Sequence, residues 1–479
     1  VRNQFASLFA LFFFSSSTAM ADRKPCLGDT AAYFLVNVDE VASRRGAVAV
    51  AERYSRNVMT GVTLANRIVG HGESGSVQLG TRAASRQQCA VKSFCKADLS
   101  GPRLQQLKHE AEVHLSVDHP HIVRLQHVYE TSEHVHMVME HMKGGTLLSR
   151  VRHCEDFSER FASDVILQVL RAVSYLHAHG IVHRDMKLSN VVFEDHFGSH
   201  CKLIDFGMAT QWDGREPLTR PCGTRGCVAP DMFTGAYTDK VDVWSVGVMA
   251  YILLTGAAPF DGKGNPEAML ASGSLWENVS FQMLSPSARS FIMSLLIVDP
   301  CVRLSASDAC DHPWLNGARS RQRASSKAVA RKLLRAPLTT RSLAYEQGSQ
   351  LLDAAWNLQK GSEKSLRAEF LSVCGRSGTV KFADLQNLIG VNAVHTDLLK
   401  HLFSQLDANG DGEVSYMEFA VALLPDTVVN RVLGTKKRDF CCLRRLTRWL
   451  FERNSTEKCS ANQHGSAVDL QLECALWSP

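Results

Sequence analysis

Five short motifs in a fixed order constrain the fold of this chain more than any other feature. They are the glycine-rich run Gly70–Val77, Ala90-Val91-Lys92, Glu110, the run His183–Asn190 and the triplet Asp205-Phe206-Gly207. The first lies between two short strand-like runs, the second lies in such a run, and Glu110 lies in a helix-like stretch. Helical apolar periodicity dominates from Leu147 to about Trp314. The sequence therefore predicts an α+β architecture, in which a small β-rich lobe precedes a larger helical lobe.

Glycines at 70, 72 and 75 form a G-x-G-x-x-G-x-V run that ends at Val77. Such glycines let a backbone turn lie close to phosphate groups, where a side chain would collide. The run alone does not decide the function, because a glycine-rich hairpin without a ligand has the same pattern. A dinucleotide-binding fold is disfavoured, because a strand rather than a helix follows.

The run His183–Asn190 reads H-R-D-x-x-x-x-N, and Asp205 follows Asp185 by twenty residues. Phosphoryl transfer needs a carboxylate that accepts the hydroxyl proton, ligands for Mg²⁺, and a cation near the transferred group. Asp185 fits the first role, Asn190 and Asp205 the second, and Lys187 the third. The motifs therefore predict a phosphotransferase, and a degraded, inactive relative is the alternative.

The sequence resembles the eukaryotic protein kinase family over roughly residues 63–315. Asp231 lies in an A-P-D variant of the A-P-E motif, Arg303 matches the arginine that pairs with that acid, and Asp242 lies in a D-x-W-S-x-G helix. The resemblance implies a bilobal fold in which Glu110 pairs with Lys92 and Met139 is the gatekeeper. The implied ATP-binding residues are Gly70, Gly72, Gly75, Val77, Ala90, Lys92, Glu140 and Met142. The implied catalytic residues are Asp185, Lys187, Asn190, Lys92 and Glu110, with Asn190 and Asp205 as Mg²⁺ ligands.

A second chemical signal lies at Asp407–Glu418, which fits D-x-[DN]-x-[DN]-G-x₅-E. Hard cations such as calcium bind oxygen atoms, and Gly412 permits the sharp turn that the loop needs. The predicted calcium ligands are the side chains of Asp407, Asn409, Asp411 and Glu418 and the carbonyl of Glu413. The segment Val373–Asp384 lies in the same frame thirty-four residues earlier but lacks the ligands, so we expect a partner loop that does not bind calcium.

A kinase domain, a basic junction and EF-hands together resemble the calcium-dependent protein kinases of plants and protists. That family implies Mg-ATP and Ca²⁺ as cofactors and an all-α EF-hand pair after the kinase lobes. Several positions depart from its pattern, and three of them bear on the fold around the site and on substrate choice. His114 stands where an apolar residue is usual, and Thr146 and Ser189 stand where acids usually read a substrate arginine.

The predicted divisions of the chain are an extension at 1–62, a kinase domain at 63–315, a basic junction at 316–362, an EF-hand pair at 363–425 and a basic tail at 426–479. Residues 317–345 hold eight Lys or Arg and no acid. The hypothesis is that this segment blocks the cleft at rest and that the calcium-loaded pair withdraws it through Val329, Leu333 and Leu334. The alternative is a solvated linker.

A net charge of +5 in 479 residues does not indicate nucleic acid as a partner. The fourteen cysteines are scattered and include no CxxC pair, which favours reduced thiols and a cytoplasmic location. Residues 1–21 have the layout of a secretory signal, but we favour Met20 as the start, because nothing downstream is typical of an extracellular protein. The basic tail around Cys441-Cys442 fits either peripheral membrane contact or a helix docked on the protein.

Three functions follow from these patterns. The first is a calcium-regulated Ser/Thr protein kinase that acts on protein substrates and does not require calmodulin. The second is a pseudokinase that serves as a calcium-sensing scaffold. The third is a calmodulin-regulated kinase whose EF-hand pair is only structural.

Overall fold

The structure is a computed structural model that describes residues 54–55, 59, 61–72, 75–83, 85–99, 101–153, 158–260, 262, 264–321, 329, 360–389 and 396–424. The predictions for the signal-like N-terminus, for Leu333 and Leu334 of the junction, and for the basic tail lie outside the described residues. Within the described ranges, no helix combines the length and the apolar character needed to cross a bilayer.

The small lobe is built on a six-stranded sheet with the strand order β1-β5-β6-β4-β3-β2. The strands are β1 Tyr54–Ser55, β2 Val62–Gly72, β3 Gly75–Arg82, β4 Gln88–Cys95, β5 Leu125–Glu130 and β6 His134–Glu140. All neighbours are antiparallel except β1, which runs parallel to β5 at one edge. The predicted extension at 1–62 thus contains a strand that the sheet includes.

Helix α1 (Gly101–Ser116) packs on this sheet through residues spaced four apart. Leu107, Ala111 and Leu115 are buried in one cluster with Phe94 of β4 and Met137 of β6. This spacing places the three side chains on one face of the helix. The same face positions Glu110 toward β4.

The large lobe is mainly helical, as the periodicity predicts. Its helices are α2 Leu147–His153, α3 Glu159–Ala178, α4 Lys240–Thr255, α5 Pro266–Ala271, α6 Val279–Gln282, α7 Pro286–Leu295, α8 Ala306–Cys310 and α9 Asn316–Arg321. Four short strands form two antiparallel pairs, which are β7 Ile181–Val182 with β10 Thr210–Gln211, and β8 Val191–Phe193 with β9 Cys201–Leu203. One-turn 3₁₀ helices span Lys96–Asp98, Leu188–Asn190, Pro230–Phe233 and Pro313–Leu315.

Helix α4 is the centre of the large lobe, because almost every one of its side chains is buried. A helix that is apolar all round belongs in a core. Gly256 ends it with a left-handed φ of 72°, and its amide donates to the carbonyl of Ile252. Cys201 and Cys227 are buried thiols in the same core, and burial raises the pKa of each.

The described residues 360–389 and 396–424 form two helix–loop–helix units, which we call the C-terminal helical pair. The elements are α10 Lys360–Val373, β11 Val380–Lys381, α11 Phe382–Ile389, α12 Thr396–Leu406, β12 Glu413–Val414 and α13 Tyr416–Ala422. The two loops meet where β11 pairs antiparallel with β12. Val329 of the junction is 4% exposed and lies in the apolar core of this pair, with Phe370 and Phe419.

The C-terminal helical pair docks on the large lobe and on the turn before β5. Arg367 Nη2 lies 2.9 Å from Glu194 Oε2, and both side chains are largely buried. The Met417 amide donates to Asp118 Oδ2 at 2.9 Å. Contacts between residues so far apart in sequence fix the pair against the kinase lobes.

Candidate active site and candidate calcium loop

The glycine-rich run forms the hairpin between β2 and β3. Gly70 is paired with Val77 and Gly72 with Gly75, as strands flanking the run predict. Ala90 and Lys92 lie on β4, where Val77 is the direct neighbour of Lys92. The predicted ATP-binding residues from Gly70 to Lys92 therefore lie on three adjacent strands.

Lys92 and Glu110 form the ion pair that the sequence predicts. Lys92 Nζ lies 2.8 Å from Glu110 Oε1, and both residues are buried. The same ammonium group is 3.9 Å from Asp205 Oδ1. Burial raises the pKa of Glu110, and the charge of Lys92 opposes that shift. The pair thus links α1, β4 and the predicted Mg²⁺ ligand Asp205.

The catalytic loop brings Asp185, Lys187 and Asn190 together. Lys187 Nζ lies 2.7 Å from Asp185 Oδ2, and Asn190 Nδ2 donates to the same oxygen at 3.2 Å. Thr224 Oγ1 donates to Asp185 Oδ1 at 2.7 Å and accepts from Lys187 Nζ at 3.1 Å. The sequence interpretation missed this role of Thr224. The sequence signal for this role was the Gly223-Thr224 pair, which lies shortly before the A-P-D motif.

The backbone of the catalytic loop is held by Asp242 of α4. Asp242 is fully buried, and its carboxylate accepts from the amides of His183 at 2.9 Å and Arg184 at 2.7 Å. Burial alone raises the pKa of this carboxyl, but hydrogen bonds from His177 and His183 outweigh burial, and the net pKa is lowered. Asp242 therefore anchors the loop as an ionised acceptor.

Two residues of the site have left-handed backbones without being glycine. Arg184 has a φ of 65° and Asp205 a φ of 68°. Such conformations cost on the order of 1–3 kcal/mol and persist where the surroundings enforce them. At Arg184 the conformation is held by two hydrogen bonds. The Arg184 amide donates to Asp242, and Arg184 Nε donates to the Met208 carbonyl at 2.7 Å.

His114, which departs from the usual apolar type, lies beside the D-F-G triplet. Its ring is 4.7 Å from that of Phe206, and Nε2 lies 2.6 Å from the carbonyl of Val123. Only 2% of the residue is exposed. The histidine therefore packs as an apolar residue would, while its Nε2 atom bonds the Val123 carbonyl.

The hinge contains a buried ion pair that the sequence interpretation missed. Both carboxylate oxygens of Glu140 lie 2.8 Å from Lys202 Nζ, and the Arg124 amide donates to Oε1 at 2.7 Å. Met142 follows, half-buried.

The predicted pairing of Asp231 with Arg303 is confirmed, at 2.7 Å between Oδ1 and Nη2.

The predicted calcium loop is a compact turn between α12 and α13. Asp407 Oδ1 accepts from the Gly410 amide at 2.7 Å, and Oδ2 accepts from the Gly412 amide at 2.9 Å. Glu418 Oε1 accepts from the Ala408 amide at 3.0 Å, and its burial raises the pKa of Glu418 to about 8. Gly412 has a φ of 85°, the left-handed turn that the motif needs.

The loop's donors fit calcium by type and order, since Asn409 and Asp411 add an amide and a carboxylate oxygen and Glu413 adds its carbonyl. In this arrangement the carboxylates instead accept the loop's own amides. Correspondingly, no three His, Cys, Asp or Glu side chains within the described ranges are grouped as a metal site requires. The Glu413 carboxylate points elsewhere, to Thr379 at 2.7 Å and His179 at 3.2 Å.

The family model described as the protein kinase domain matches residues 64–315, which is more than half of the chain. Calcium-dependent protein kinase 19 of Arabidopsis thaliana is 29% identical over 372 residues, covering 75% of this chain and 66% of that protein. Calcium-dependent protein kinase 3 of Plasmodium yoelii yoelii is 28% identical over 413 residues, 84% of this chain and 74% of that protein. Myosin light chain kinase A of Dictyostelium discoideum is 34% identical over 259 residues, 53% of this chain and 87% of that protein.

The chain spans just under two thirds of the length of the first of these relatives. The two calcium-dependent kinases align over more residues than the kinase domain contains. The alignment with the myosin light chain kinase is about as long as the kinase domain alone. The similarity beyond the kinase domain is therefore to the calcium-dependent group. The chain belongs to the protein kinase family.

Proposed function

We propose that this kinase transfers the γ-phosphate of ATP to Ser or Thr hydroxyls of proteins. The observation that carries the proposal is the assembled cluster of Asp185, Lys187 and Thr224, within hydrogen-bond distance of one another. Asp185 accepts the proton of the attacking hydroxyl, and Lys187 places positive charge beside the transferred group. Lys92, held by Glu110, binds the α- and β-phosphates.

Asn190 and Asp205 would hold Mg²⁺, which neutralises the developing charge on the phosphates when it is bound. Their chemistry fits this role, since both present oxygen ligands. Asn190 is buried beside Asp185, and Asp205 is one-third exposed near Lys92. A pseudokinase scaffold is disfavoured because every catalytic position holds a competent residue in contact with its expected neighbours.

We also propose that the C-terminal helical pair is an EF-hand pair that controls the kinase. Calcium would be held by the side chains of Asp407, Asn409, Asp411 and Glu418 and by the carbonyl of Glu413. The first loop has lost its ligands: Val373, at its first position, is buried in the apolar core. One calcium site per chain follows from this difference.

The position of Val329 supports the proposal that the pair binds the apolar face of the basic junction. Val329 is packed among Phe370, Phe419 and other core residues of the pair. If the same segment blocks the cleft at rest, its capture by the calcium-loaded pair relieves autoinhibition. Residues 322–328 and 330–359 of the junction, Leu333 and Leu334 included, lie outside the described ranges.

A phosphotransfer assay with a generic protein substrate, with and without calcium and without calmodulin, tests the proposal. We expect calcium to raise the rate in the full chain, Asp205→Ala to abolish transfer, and Glu418→Gln to remove the calcium response while basal transfer persists. Calcium activation only after calmodulin is added would favour the calmodulin-regulated alternative. An Asp205→Ala variant with unchanged turnover would contradict the catalytic assignment.

A chain that ends at Gly317 tests autoinhibition separately. We expect calcium-independent transfer from this chain, since the junction and the C-terminal helical pair are both removed. Its unfolding midpoint is measured in parallel, because contacts between the pair and the large lobe are lost as well. A truncated chain that is folded and silent would reject autoinhibition as the main control.

A further inference from the structure

The small lobe includes a segment that precedes the matched kinase domain. The family match begins at residue 64, but β1 joins the sheet ten residues earlier, with Tyr54 beside Val128 and Ser55 beside Tyr129. This strand runs parallel to β5 and covers an edge that would otherwise be open. The segment is thus a built part of the lobe that binds ATP.

The Tyr54 ring packs against an apolar cluster to which α1 contributes. It packs against the cluster that contains Leu107, Ala111 and Leu115 of α1, together with Phe94 of β4. Ala111 directly follows Glu110 in the helix. Packing that fixes Leu107 and Ala111 therefore fixes the height and rotation of the helical turn that carries Glu110.

The Tyr54 hydroxyl reaches α1 through a polar route as well. It donates to Glu130 Oε2, and Lys96 Nζ lies 2.6 Å from Glu130 Oε1. Glu130 is only 4% exposed, so its carboxylate depends on these partners. Lys96 opens the 3₁₀ turn Lys96–Asp98, which leads into α1. The ring of Tyr54 therefore packs on a cluster that includes α1, and its hydroxyl is linked through Glu130 to the turn before α1.

We propose that Tyr54 is a positioning residue for phosphoryl transfer, because it holds α1 so that Glu110 stays paired with Lys92. Without the phenol, α1 is less firmly packed and the Lys92–Glu110 distance of 2.8 Å is less strictly kept. ATP binding and transfer then weaken together, since Lys92 serves both. The proposal rests on the kinase activity proposed above and is independent of its control by calcium.

Met59 offers a matched control within the same segment. It packs against Cys89, Val91 and Val138, a cluster that holds no residue of α1. β1 and β2 lie at opposite edges of the sheet, and Met59 lies between them in sequence. Loss of the Met59 side chain therefore removes apolar contact from the lobe without touching the α1 contacts.

The test uses the full chain at saturating calcium, with Tyr54→Ala, Tyr54→Phe and Met59→Ala. Initial rates are measured against Mg-ATP concentration well below the lowest unfolding midpoint, and hydrogen exchange is followed in residues 101–116. We expect kcat/KM for ATP to fall about tenfold in Tyr54→Ala and about threefold in Tyr54→Phe, and to stay within about twofold in Met59→Ala. Amides of α1 should exchange faster in both Tyr54 variants and not in Met59→Ala.

The proposal would be overturned if Tyr54→Ala and Met59→Ala lower the unfolding midpoint by the same amount and both keep wild-type kinetics and wild-type exchange in α1. If Tyr54→Ala does not fold, Tyr54→Phe decides by the same two measurements. If the wild-type chain itself transfers no phosphate, the proposed function fails first. Exchange in α1 then decides alone, with unchanged protection in the Tyr54 variants counting against positioning.

Discussion

Thr224 connects the two charged side chains of the catalytic loop, because it donates to Asp185 and accepts from Lys187. Replacing it with valine keeps the shape and removes the hydroxyl. A hydrogen bond to a charged group contributes about 1.5–3 kcal/mol, so we expect kcat to fall about tenfold to a hundredfold in Thr224→Val. Thr224→Ser should stay within a few-fold of wild type. Single-turnover rates at saturating ATP check this, and an unimpaired valine variant would show that the contact is incidental.

We predict that Thr146 and Ser189, which stand where acids usually read a substrate arginine, weaken selection for basic peptides. Thr146 Oγ1 accepts from the Ser149 amide at 3.0 Å and so caps α2 instead of offering a charge. The acids Glu140 and Asp231 are engaged by Lys202 and Arg303. Each lost arginine–carboxylate contact is worth about 1.5–3 kcal/mol, so we expect a weak preference for arginine upstream of the phosphoacceptor.

A peptide library measures this preference directly. Thr146→Glu combined with Ser189→Glu should strengthen selection for arginine. A strong arginine preference three positions before the phosphoacceptor in the wild-type chain would contradict the prediction.

Three elements meet where the first loop of the C-terminal helical pair reaches the large lobe: the turn holding His119, helix α3 with Tyr175, and the loop with Gly378. A Cβ at Gly378 would lie 2.9 Å from Tyr175 Cβ and 3.2 Å from His119 Cδ2, and its φ is 75°. The Asp118 amide donates to the Tyr175 hydroxyl at 2.9 Å. Only glycine fits this close approach.

His119 makes this meeting point sensitive to acid. Burial, aided by the charges of Arg171 and Lys202, lowers the pKa of His119 to about 3. The unfolded chain, with its ordinary value near 6.5, binds the proton first as pH falls. The free energy of unfolding therefore declines from about pH 6.5 downward, with His119 contributing up to about 1.4 kcal/mol per pH unit.

His119→Asn checks this, because it removes the titrating ring and keeps an acceptor for the His121 amide, now 3.1 Å from His119 Nδ1. Denaturant unfolding between pH 6 and 4 should show a shallower pH slope than wild type. The exposed His153→Asn should leave the slope unchanged. Equal slopes in wild type and His119→Asn would refute the expectation.

Local patterns predicted the elements well and their long-range partners only where a family motif specified them. The small β-rich lobe, the helix that holds Glu110 and the larger helical lobe are all present as the sequence predicts. The pairing of Lys92 with Glu110 was also foreseen. The contacts of Tyr54 with Glu130 and of Lys202 with Glu140 were not predicted. Periodicity and motif spacing do not show which charged side chains, distant in sequence, are buried together in the fold.

For the whole molecule, we predict that Arg367 contributes more to docking of the C-terminal helical pair than the exposed Arg376. Its pair with Glu194 is buried, whereas Arg376 lies 2.7 Å from Asp311 with 70% of its side chain exposed. Breaking a buried pair by removing one partner costs about 3–5 kcal/mol, and exposed pairs contribute little. We therefore expect Arg367→Ala to loosen docking and Arg376→Ala to leave it nearly unchanged.

Small-angle scattering of the full chain reports docking as the radius of gyration. It should rise in Arg367→Ala and match wild type in Arg376→Ala. A wild-type radius in both variants would show that the remaining contacts, such as the Met417 amide on Asp118, suffice.

Glu413 has a consequence for the thermodynamics of the whole chain. Its carbonyl belongs to the proposed calcium set, while its carboxylate contacts His179 of the large lobe and Thr379 of the first loop. If docking favours the loop conformation that binds the ion, the ion must favour docking by the same factor, since coupling free energies are reciprocal. Calcium affinity is then a property shared with the kinase lobe, and a nucleotide or substrate that alters the large lobe shifts the calcium concentration at which the enzyme responds.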